Sequence, residues 1–194
     1  MLWGEKKFQG WEAAATSALA GGARHLLSFN EPDHPEQANM DSATASAAHI
    51  RYLNPYAGQA RIGSPAVTNG DPEAGPDGMG LGWLRHFFDR CAGQCQVDFV
   101  AVHWYGPAQN VRGFKNHLGN ATQLAQENGI HEVWLTEFGA SGSDEEVAGF
   151  LGEVLPWMDS HETIQKYAYY MCAEGILVNG SKMSDPVGRA YAGA

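Results

Sequence analysis

A chain of 194 residues has room to bury a sizeable core as a single domain. Its 22 Asp and Glu outweigh 12 Lys and Arg, and the formal net charge of −10 argues against nucleic acid and anionic membrane surfaces as partners while suiting a neutral polymer. No run approaches the roughly 18 apolar residues of a membrane span, and residues 1–20 do not read as a signal peptide.

Residues 1–4, Met-Leu-Trp-Gly, read as the tail of a strand whose beginning has been cut off. A helix is expected over 8–20, stopped by Gly21 and Gly22. Short apolar runs then begin near His25, Arg61, Asp98, Glu132 and Thr163, about one every 35 residues. Helical stretches fall between them, at 41–56, 79–91, 111–128 and 144–160, and Ser143 with Glu146 forms a capping box before the last of these. Residues 186–191 read as a final helix. A strand, a helix and two loops consume that spacing, so the pattern predicts repeated βα units, a parallel sheet and right-handed crossovers. Six strands are expected where a closed α/β barrel needs eight and about 250 residues.

Two of the apolar runs end alike. His25-Leu-Leu-Ser-Phe-Asn-Glu31-Pro and Glu132-Val-Trp-Leu-Thr-Glu137-Phe-Gly each close on a carboxylate, which places Glu31 and Glu137 at strand C-terminal ends, where alternating α/β folds put their chemistry. In a flat open sheet, three strand steps at about 4.8 Å each would hold them roughly 14 Å apart. Only a closed barrel would let the pair act on one bond. Along Val102-His103-Trp104-Tyr105-Gly106, period-two alternation sends His103 and Tyr105 to one side and Trp104 to the other.

The ordered set Asn30-Glu31-Pro32-Asp33, Val102-His103-Trp104-Tyr105-Gly106 and Trp134-Leu-Thr-Glu137-Phe138 resembles the fungal family-128 glycoside hydrolases, also described as Asl1-like glycosyl hydrolase catalytic domains. The resemblance covers essentially all 194 residues. It implies a single catalytic domain, 1–194, of the (β/α)8 TIM-barrel type, apparently lacking its first two strands in this chain. A barrel so truncated is expected to aggregate or to be completed by another segment. The implied activity is a retaining endo-β-1,3-glucanase, with Glu31 matching the acid/base and Glu137 the nucleophile. Asn30 is then a candidate for the sugar 2-hydroxyl, Tyr105 a donor to Glu137, His103 a polar support, and Trp104 and Trp3 candidate sugar platforms. The turn-rich loop 68–78 is expected to form one wall of the cleft.

No cofactor or metal is expected: there is no H-x-x-x-H pair, G-x-S-x-G, Walker or dinucleotide glycine pattern, and the acids of 68–78 lack tight ligand spacing. Cys91 and Cys95 can close a small disulfide or stay reduced, with Cys172 left over. With the sequons at Asn120 and Asn179, they favour a secreted or cell-wall protein whose targeting segment is absent here. The expected partner is a β-glucan, without nucleic acid or membrane, and the full-length protein is expected to be a monomer. The competing reading is a non-hydrolytic glucan-binding wall protein on a decayed or incomplete barrel. A third keeps the mechanism on a β-1,6-linked or mixed-linkage glucan.

Overall fold

The structure, a computed structural model, describes residues 1–193. Its elements alternate as the apolar spacing predicts: α1 (Trp11–Ala20), β1 (His25–Leu26), α2 (Ser42–Tyr52), β2 (Arg61–Ile62), α3 (Gly80–Cys91), β3 (Val100–Pro107), α4 (Val111–Glu127), β4 (Val133–Ser141), α5 (Asp144–Asp159) and β5 (Ile164–Tyr169). A short hairpin, β6 (Val178–Asn179) with β7 (Lys182–Met183), and α6 (Val187–Ala192) complete the chain. The hairpin is absent from the sequence expectation, because two-residue strands carry no readable alternation.

All the lateral pairing from β1 to β5 is parallel and in chain order. β1 pairs with β2, and β3 pairs with β4 and β4 with β5. Parallel bridges from Trp3 to Phe29, Asn30 to Ala66, Gly63 to Phe99 and Val67 to Val102 join the remaining neighbours into one array that starts at the first residues of the chain. The close approach at Gly63 depends on its missing side chain, since a Cβ there would lie 2.5 Å from the Phe99 ring, which itself stacks on Trp134.

The helices lie against this array through apolar stripes. α4 buries Phe114, Leu118, Ala121, Leu124 and Ala125, a three- and four-residue spacing, and α5 buries Val147, Phe150, Leu151, Val154, Leu155 and Met158. The expected capping box is present, with Ser143 accepting from the Glu146 N–H and Glu146 from that of Ser143. α3 ends at the Cys91–Cys95 disulfide, and Cys172 is free and exposed.

The strand starts are tied together by charge. Arg61 donates from Nη1 to both oxygens of Glu132 at 2.8 Å and from Nη2 to the Asp98 carbonyl at 3.2 Å, while the Ile62 N–H donates to Asp98 Oδ2 at 2.7 Å. Three successive strands, β2, β3 and β4, are thereby pinned at their N-terminal ends.

Under α2, His49 is fully buried between Ser28 Oγ at 3.1 Å and the Gln96 carbonyl at 2.9 Å. A carbonyl only accepts, so Nε2 carries the hydrogen and Nδ1 accepts from Ser28. Burial pushes His49 down to about 4, and burial does the same to His117 on α4, also about 4. The unfolded chain therefore binds these protons more tightly than the folded one. Stability is fully present above about pH 6.5 and is lost as pH falls toward 4. The urea midpoint should drop between pH 6.5 and 5, with His49 alone contributing on the order of 2 kcal/mol, and a midpoint flat across that window would contradict its buried neutral state.

Candidate active site

The two strand-end glutamates meet. One oxygen of Glu31, one of Glu137 and Nδ1 of His103 all lie within 4.8 Å of one another. His103 is fully buried and sits between the carboxylates, with Nδ1 2.9 Å from Glu31 Oε1 and 3.7 Å from Glu137 Oε2. Carboxylates only accept, so their approach assigns the hydrogen to Nδ1. His103 thus holds one oxygen of Glu31, whose largely buried side chain lines the neighbouring cavity. His103 itself does not line the cavity beside Glu31, and its contacts are with the carboxylates.

Local backbone irregularities aim both acids. Glu31 has a left-handed φ of 43°, uncommon for a residue with a side chain, and is fixed there by its N–H donating to the Ala66 carbonyl and its carbonyl accepting from the His34 N–H. On β4, Leu135 pairs with Val102 but Glu137 pairs with His103, so Thr136 has no opposite number. This bulge sets Glu137 level with His103. Nothing in the apolar pattern of β4 announces it.

Tyr105 takes the place the alternation gave it. Its hydroxyl donates to Glu137 Oε2 at 2.8 Å, and its acidity is suppressed first by partial burial, then by the Glu137 hydrogen bond and charge and by Glu31, so the phenol remains a donor. Its ring lies edge-on to Tyr170, with centroids 6.2 Å apart.

The tryptophan expectations fare differently. Trp104 is 2% exposed, stacked on Phe150 and edge-on to Phe114, so it belongs to the layer between β3 and the helices α4 and α5. This corrects its reading as a sugar platform: the alternation that sends His103 and Tyr105 inward necessarily sends Trp104 outward. Trp3 is partly exposed beside Asn30, whose N–H donates to the Trp3 carbonyl at 2.7 Å, but it does not line the cavity at Glu31. Asn30 is 7% exposed and donates from Nδ2 to Gln37 Oε1 at 3.2 Å, so Gln37 rather than Asn30 faces the cavity.

That cavity, about 470 Å³, is lined by both glutamates, Tyr105, Tyr170, His34 and Gln37, with a wall of Thr68, Asn69 and Gly70; the rest of the expected wall, 71–78, does not line it. A second cavity of about 680 Å³ opens on the other side of Tyr105 and Tyr170, toward Gly139, Ser141 and Ile176. Sequence reasoning missed Tyr170, Asn69 and Gln37. Tyr170 was accessible to the strand-end rule, because it follows the last residue of β5. Among the described residues, Glu31, His103 and Glu137 are also spaced to hold a cation, although the Glu31–His103 hydrogen bond already occupies Nδ1.

A profile of the glycosyl hydrolase catalytic core family matches residues 1–191. The chain is 32% identical over 170 residues to alkali-sensitive linkage protein 1 of Schizosaccharomyces pombe, a match covering 81% of this chain and 28% of that protein's length. Among solved structures it resembles a subgroup III GH128 curdlan-specific exo-β-1,3-glucanase from Blastomyces gilchristii in complex with glucose, at 47% identity and a TM-score of 0.92 over 98% of this chain and 79% of that one. A subgroup II GH128 endo-β-1,3-glucanase from Sorangium cellulosum is 28% identical, with a TM-score of 0.80 over 100% of this chain and 79% of that one. With the paired glutamates, the buried histidine and these likenesses, the chain belongs to the glycosyl hydrolase catalytic core family, as an Asl1-like member of glycoside hydrolase family 128.

Proposed function

We propose that this domain hydrolyses β-1,3-glucan with retention of anomeric configuration, Glu137 acting as nucleophile and Glu31 as acid/base. The observation that carries the reading is the approach of the two carboxylates to within 4.8 Å. Retaining pairs stand about 5–5.5 Å apart, whereas inverting pairs need roughly 6.5–9.5 Å to admit a water. The parallel array with convergent strand ends supports reading it as part of a (β/α)8 barrel.

The environment divides the two roles. Tyr105 donates to Glu137 Oε2, which fixes the direction of the attacking carboxylate. His103 holds one oxygen of Glu31, so a proton on the other can be delivered to the leaving oxygen. In the first step Glu137 bonds to the anomeric carbon as the glycosidic bond breaks and Glu31 protonates the departing sugar. In the second, Glu31 takes a proton from water, whose oxygen displaces Glu137 and restores both groups. No step calls for a cofactor.

For the manner of cleavage we favour internal attack. The two cavities share Tyr105 and Tyr170 in their linings, so open space extends from the Glu137 cavity past these tyrosines toward Gly139 and Ile176, as an internal stretch of chain would need. End-wise attack is the second reading, favoured by the curdlan-specific exo-enzyme at 47% identity. We place the protein outside the cell or in the wall, working as a monomer in full-length form. The Cys91–Cys95 disulfide supports an oxidising compartment, and the Asn179 sequon lies exposed on the β6–β7 hairpin.

Glu137→Gln should lower reducing-sugar release from laminarin by about a thousandfold while laminarin still retards the variant in an affinity gel; equal rates for variant and wild type would remove Glu137 from the chemistry. Retardation of the wild type with no turnover by it would instead identify a glucan-binding wall protein. Digestion of a long β-1,3-glucan separates the two manners of cleavage: a ladder of oligosaccharides at early times is expected, and glucose as the sole early product would establish end-wise attack.

A further inference from the structure

Tyr105 stands at the open end of β3 and is 40% exposed, so packing alone does not fix its hydroxyl. On one side it pairs with Gly139 of β4, where a Cβ would press within 3.0 Å of the tyrosine ring. On the other side the main chain has already left: the last bridge is Val67 to Val102, and the His103 N–H donates to the Val67 carbonyl. The side chain of Asn69 continues the ladder in its place. Its Nδ2 donates to the Tyr105 carbonyl at 3.0 Å and its Oδ1 accepts from the Tyr105 N–H at 2.9 Å, one donated and one accepted bond in place of those a neighbouring strand's main chain would make.

Asn69 is itself anchored from the Glu31 side. Asp33, two positions after Glu31, accepts from the Thr68 N–H, the Thr68 hydroxyl and, at 2.8 Å, the Gly80 N–H. One chain of contacts therefore runs from the Glu31 turn through Asp33, Thr68, Asn69 and Tyr105 to Glu137. We propose that Asn69 is a positioning residue for Glu137: by completing the β3 ladder with its side-chain amide, it aims the Tyr105 hydroxyl at the carboxylate and sets that aim relative to Glu31. Its kinetic consequence rests on the glucanase reading above; its structural consequence does not.

The test is a double-mutant cycle with a structural arm. Asn69→Ala should lower kcat on laminarin by about ten- to a hundredfold, the cost of roughly 1 Å of misplacement, yet by about twofold or less when Tyr105→Phe is already present. A crystal structure of Asn69→Ala should show Tyr105 Oη beyond about 3.5 Å from Glu137. An equal fold-loss in both backgrounds, or a Tyr105–Glu137 bond unchanged in the variant, overturns the proposal. Should Asn69→Ala not fold, Asn69→Asp serves the same cycle, since it keeps the acceptor for the Tyr105 N–H and loses the donor to the carbonyl. A loss confined to the background with Tyr105 intact is again expected, and an equal loss in both again overturns it. If the unaltered domain cleaves no β-1,3-glucan, the activity falls while the Tyr105–Glu137 distance still decides the positioning.

Discussion

A fully buried imidazole lying between two carboxylates is the constraint around which this structure is arranged. His103 reaches both Glu31 and Glu137 only if strands three steps apart converge at their ends, which a flat sheet cannot supply. The requirement propagates outward. The bulge at Thr136 brings Glu137 level with His103, the left-handed turn at Glu31 bends the other acid inward, and Tyr105 closes the arrangement from the exposed side. Each feature would be a defect elsewhere; together they let two carboxyl groups share a small volume with donors between them.

Much of the frame was legible because it is periodic. Apolar runs at regular spacing located all the longer strands, and the helix limits fell within a few residues because caps and glycines mark them. Glu31 and Glu137 were readable by position alone, as carboxylates at strand ends. Trp104 shows how residue type can mislead where period does not: alternation had already turned it away from His103 and Tyr105, and the surface it meets is the packed one under α4 and α5. Four of the tryptophans, Trp11, Trp83, Trp104 and Trp134, are buried, so the aromatic faces at the cavity are tyrosines.

What stayed hidden was the non-periodic part. A bulge consumes one residue without changing composition, and Asn69 matters because of where a neighbouring strand departs, a fact about three chain segments at once. Asp33 was visible beside Glu31 as an acid in a turn, but its three donors come from residues 35 and 47 positions away. The side chains that make strand ends precise are held by long-range contacts, and local pattern does not encode those.

The ionic tie at the opposite end of the strands acquires a different meaning from this geometry. Arg61 joins Asp98 and Glu132 where β2, β3 and β4 begin, and Tyr105 lies roughly 23 Å further along at about 3.3 Å per residue. Over such a lever, a tilt of about 2.5° at the base displaces the tip by about 1 Å, the scale on which reacting groups lose alignment. The base of the strands is therefore a fulcrum, and its stiffness sets the angular tolerance within which the distant carboxylates remain in register.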